Sequence, residues 1–214
     1  MLILSKSIDF IIPDDQLEAG MNTLTHINSL IPCPDQALCP SNSPHRPTQS
    51  PSFHMHINAS EVTLDLYLQS ETLWFLPPFD SSFLSPKTPG LPAPFVLASD
   101  KTVLPPSRLG RGAGLFTCDD YPVIVPKSHV MLEAFLHLHA RDSGKISGSY
   151  TLAMIAYVEL YIDRDGFLNV DLLPEPLRTF YVEFQRAPRP IHQWTMKLKT
   201  ALGYPDLSED DRNW

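Results

Sequence analysis

Proline sets the first boundary on this chain. Of 22 prolines in 214 residues, six fall between Pro32 and Pro51 and eight between Pro77 and Pro106. Proline fixes φ and has no backbone N–H, so neither block can form a helix interior or a central strand. Both blocks read as long surface loops, and the regular elements must be found in the stretches between and after them.

Composition narrows the class. With 43% hydrophobic residues the chain is globular and can bury one sizeable core or two small lobes. Sixteen basic residues against 24 acidic ones leave a formal net charge of −8, which argues against broad binding of nucleic acid through a cationic face. Three cysteines, Cys33, Cys39 and Cys118, form no secreted-type framework, so a reduced, cytoplasmic compartment is expected. Lys6 and Asp9 interrupt the first apolar residues, no signal peptide is evident, and no apolar run is long enough to span a membrane.

Hydrophobic periodicity predicts an α+β protein. Residues Ser7 to Ile12 alternate, with Ile8, Phe10 and Ile12 on one face and Ser7, Asp9 and Ile11 on the other, as a strand requires. Pro13 ends that strand, and Asp14 or Asp15 can cap a helix carrying Leu17, Met21, Leu24 and Ile27. FHMHIN sets His54 and His56 on one side, and VTLDLYLQ sets Thr63, Asp65, Tyr67 and Gln69 on one side. A hairpin around Ala59 to Val62 places His56 opposite Asp65 and His54 opposite Tyr67 on a continuous polar face. Phe95 to Ala98 and Tyr121 to Pro126 are further strand candidates.

From Lys127 onward the pattern turns helical, with segments ending near Arg141, Ile162, Gln185 and Leu202. The expected organisation is a small mixed sheet with a covering N-terminal helix over residues 1–126. A bundle of about four helices follows over 127–203, and an acidic tail over 204–214.

Two carboxylates on neighbouring strands, Asp9 and Asp65, are the leading candidates for chemistry, because such pairs hold divalent metal against a nucleotide. The segments SKSIDFIIPDDQLEAGMNTL, FHMHINASEVTLDLYLQSETLWFLPPF and VPKSHVMLEAFLHLHARDSGK, in that order, resemble the nucleotidyltransferase superfamily, in particular uncharacterised fungal proteins of that type. The resemblance covers most of Ser5 to Gly203. It implies that Asp9 is the second acid of an Asp-x-Asp pair and Asp65 the third, both catalytic and both ligands of Mg²⁺.

Arg141 and Lys145 would then contact the phosphates of a nucleoside triphosphate, and His56 would orient Asp65. Ser7 stands at the first acid's place, and the family's Gly-Ser turn has no counterpart before the first strand. The expectation is therefore an N-terminally shortened chain, or a non-catalytic descendant that retains the fold, which binds a nucleoside triphosphate with Mg²⁺ and is weakly active or inactive. The alternative is a protein-interaction module that keeps the fold and uses its loops or helical face. A third reading, a small-molecule enzyme, uses His54, His56 and Tyr67 as acid–base groups.

Other motifs carry less. The Cys33 to Cys39 spacing in a proline-rich loop is not that of a common zinc site, so His54 and His56 are expected to be structural or surface residues. Gly110 to Gly114 lacks the Lys-Ser/Thr of a phosphate-binding loop, and Cys118 has no catalytic setting. Asp163-Arg164-Asp165-Gly166 lacks the flanking carboxylates of a calcium loop and reads as a helix-ending turn.

Overall fold

The computed structural model describes residues 7–35, 38–43, 45–79, 91–100, 102–103, 116, 122–186 and 190–205. Gly110 to Gly114, Cys118 and most of the acidic tail lie outside these residues. The chain is α+β and divides into two compact units, Met1–Ser85 and Pro86–Trp214. The division thus falls upstream of residue 126, so the strands expected at Phe95 and near Pro126 belong with the helices.

In the first unit, strand β1 (Ser7–Ile12) ends at Pro13, and a short 3-10 turn (Asp14–Gln16) leads into helix α1 (Leu17–Thr25). Strand β2 (Leu30–Pro32) follows, then β3 (Phe53–Ile57), β4 (Thr63–Leu68) and the short helix α2 (Gln69–Thr72). The sheet order is β1-β4-β3-β2, with β1 parallel to β4 and the other pairs antiparallel. Alternation sends Met55 and Leu66 to one face, where they pack with Leu24 of α1 and Leu30 of β2.

The β3–β4 register differs from the sequence expectation by two residues. His54 lies across from Asp65 and His56 across from Thr63. The cause is the turn: Ala59 takes a left-handed φ of 56°, and Ile57 N–H already pairs with the Val62 carbonyl, 3.0 Å away. A shift of two preserves which face each side chain occupies.

In the second unit, β5 (Phe95–Leu97) and β6 (Ile124–Pro126) form an antiparallel pair. Helices α3 (Ser128–Asp142), α4 (Ile146–Val158), α5 (Leu177–Arg186) and α6 (Ile191–Ala201) supply the core, centred on Leu132, Leu136, Ile155, Leu177, Tyr181 and Leu198. A π-helical turn (Glu159–Asp163) ends α4, and Gly166, with φ 80°, closes the expected turn. Gly148 permits the tight α3–α4 connection, because a Cβ there would lie 2.4 Å from the Asp142 carbonyl oxygen.

His139 is held beneath this connection. Its Nδ1–H donates to the Gly148 carbonyl (2.8 Å), which leaves Nε2 to accept from the Thr195 hydroxyl (2.9 Å). No described helix is long and apolar enough to cross a membrane.

Candidate functional site

The polar face of β3 and β4 is the chemical centre of the first unit, and it is not open. Thr63, Asp65 and Tyr67 alternate along one side of β4 as their sequence requires and Gln69 follows at the start of α2, yet all four are buried. The cover is the first proline-rich block. Its described residues form a strap that crosses the face, with Cys39, Ser41 and Arg46 buried beneath it. The expectation of a plain surface loop is corrected here: proline excludes this segment from the sheet but not from packing on it.

Arg46 ties the strap down. Its Nη2 donates to Asp65 Oδ2 at 2.7 Å and to the Tyr67 hydroxyl at 2.8 Å, Nη1 donates to the Ser41 carbonyl at 3.0 Å, and Nε reaches the Thr48 hydroxyl. Tyr67 passes its own proton toward the Gln49 carbonyl (3.2 Å). Burial, with the charge of Asp9 next, pushes the Tyr67 phenol far above its ordinary range. The hydroxyl imagined as an acid–base group is thus a neutral link in a buried network.

Asp9 and Asp65 are brought together as expected, in register on adjacent parallel strands. Their surroundings differ. Asp65 is completely buried and ion-paired with Arg46, and only its Oδ1 lacks a hydrogen-bond partner. Asp9 stays exposed at the rim. Crowding by neighbouring atoms raises its carboxyl above the usual range against the hydrogen bond from Ser7, and the Asp65 charge raises it further. A divalent ion seated on both carboxylates would stand beside the Arg46 guanidinium, which opposes it.

Sequence reasoning passed over Arg46 because an arginine in an aperiodic, proline-rich stretch gives no sign of what it faces.

Arg141 and Lys145 lie in the second unit, around the C-terminus of α3. Arg141 Nη2 and Lys145 Nζ both reach Asp142, at 2.8 and 3.4 Å. This is an ion-paired helix end, in keeping with the macrodipole. His56 does not stand against Asp65 as expected. The register gives it Thr63, and its Nε2 is 3.5 Å from Cys39 Sγ.

His54 Nε2 approaches the same sulfur, at 3.3 Å, and the two imidazoles meet edge to face at 5.4 Å. Cys33, just beyond β2, completes a group of four side chains, Cys33, Cys39, His54 and His56, whose donor atoms all lie within 4.8 Å of one another. The sequence signal was present in His54-x-His56, which sets both rings on one side of a strand.

Comparison with protein-family models, with curated proteins and with solved structures gave no match to this chain.

Proposed function

We propose that this chain is a non-catalytic protein-interaction module whose sheet binds an extended partner segment along β1. The observation that carries the reading is the Arg46–Asp65 pair beneath the strap: the face where two-carboxylate chemistry would operate is closed by the protein itself. What stays open is β1, the end strand in the sheet order among the described residues. Ile8 and Phe10 project from it, 47% and 42% exposed.

An edge that offers backbone hydrogen bonds beside exposed apolar side chains suits strand addition by a partner with alternating apolar residues. The acidic balance of the chain favours a partner that also carries basic residues.

Fluorescence polarisation with extended peptides of alternating apolar and basic residues tests the proposal. Phe10→Lys is expected to weaken binding at least tenfold, while Asp171→Asn, on the exposed surface of the helical unit, leaves it unchanged. Binding indifferent to Phe10→Lys refutes the role of β1.

A second reading, a nucleotidyltransferase-like site that binds a nucleoside triphosphate with Mg²⁺, is favoured by one observation. Asp9 stands in register with Asp65, whose buried Oδ1 has no donor. Calorimetry separates the two: Mg²⁺-dependent nucleotide binding that disappears in Asp9→Asn supports the second reading, and none in folded protein removes it.

A further inference from the structure

We propose that Cys33, Cys39, His54 and His56 form a four-coordinate zinc site that clips the proline-rich strap to strand β3. The four come from three places in the chain. Cys33 follows β2 directly, Cys39 precedes a 3-10 turn at Pro40–Asn42, and the two histidines occupy alternate positions of β3. Cys39 and His54 are buried, Cys33 and His56 half-buried, so the group is enclosed on its inner side and reachable from its rim.

The spacing of the donor atoms fits one ion. With Zn–S of about 2.3 Å and Zn–N of about 2.0 Å in a tetrahedron, neighbouring ligand atoms sit roughly 3.3–3.8 Å apart. The sulfur of Cys39 lies 3.3 Å from His54 Nε2 and 3.5 Å from His56 Nε2, and every pair in the group is within 4.8 Å.

Hydrogen bonding alone is a poor account of this arrangement. Sulfur is only a weak donor and a weak acceptor, yet two ring nitrogens converge on that of Cys39 while the second thiol stands beside it. Two thiolates and two imidazoles are the donor set of structural zinc, whereas Mg²⁺ takes oxygen ligands. Four protein ligands leave no open position, so this ion's work is structural.

Zinc binding releases both thiol protons and forms two Zn–S and two Zn–N bonds with no change of oxidation state.

The test uses the full chain, purified under reducing conditions, loaded with zinc and freed of excess by gel filtration. One zinc per chain is expected, and the cobalt-substituted protein should show the intense visible bands of a tetrahedral centre with thiolate charge transfer. Cys39→Ser and His54→Ala should lose more affinity than the roughly 10–100-fold attached to outer-sphere partners. Should these variants fail to fold, alkylation of the unaltered chain replaces them: zinc should shield Cys33 and Cys39 from iodoacetamide, and a chelator should expose them. Zinc well below one per folded chain, a weak octahedral cobalt spectrum, or a Cys33–Cys39 disulfide in protein prepared without oxygen would each overturn the proposal.

Discussion

Among the described residues, eleven buried ones, from Leu132 to Leu198, meet in the core of the helical unit, whereas the sheet unit gathers four: Leu24, Leu30, Met55 and Leu66. A fully buried aliphatic side chain contributes about 1.5–3 kcal/mol, so the smaller cluster has little margin over the entropy of ordering its chain. The sheet unit makes up the difference on its other face, with a buried arginine, a carboxylate, a tyrosine and a Cys/His cluster under a proline-stiffened strap. One unit is held by non-directional apolar packing, the other by directional contacts. The second kind fails more sharply when a single partner is removed.

That difference can be broken most severely at Arg46. Arg46→Ala leaves Asp65 buried and uncompensated, and urea denaturation should register a loss of about 3–5 kcal/mol. The helical unit's weak point is steric. Gly148→Ala drives a methyl group into the Asp142 backbone and should cost about 1–3 kcal/mol by the same measurement, in the transition reported by Trp194 fluorescence.

Charge supplies a gentler probe. Burial holds the Glu133 carboxyl at about 7, above its ordinary 4.5. As pH rises from 4.5 to 7 the unfolded chain ionises first, which favours unfolding, and the penalty is complete above 7. Glu133→Gln should therefore stabilise the protein at pH 8, on the order of 1 kcal/mol after solvent screening, and leave it unchanged at pH 4. Thermal melts at the two pH values check this. Smallest of all, Phe10→Lys on exposed β1 should alter stability by no more than about 0.5 kcal/mol while it weakens peptide binding at least tenfold.

Much of the architecture was legible because it is written locally. Strand β1 follows from the alternation between Ser7 and Ile12, and α3 from the apolar run after Ser128. The α+β class, with a mixed sheet and four helices in the C-terminal part, follows from that order of elements. The in-register approach of Asp9 and Asp65 was legible for the same reason. The strap was not: composition identifies Pro32 to Pro51 as lying outside regular structure, yet nothing local tells where such a segment comes to rest.

Arg46 and the partners of His54 were hidden by that non-local step, and β2 escaped notice because it runs into Pro32 at the sheet's far edge. The two-residue error in the β3–β4 register came from the left-handed turn at Ala59, a conformation alanine seldom signals.

Hydrogen exchange, followed residue by residue with zinc and with a chelator, shows whether a metal ion holds the strap on the sheet. Removal of the ion should strip protection from the strap and from the Ser52 amide bonded to the Leu66 carbonyl, while α3, α4 and α6 keep theirs. Strap amides that stay protected in the chelated protein, or losses that spread equally into the helices, would contradict it.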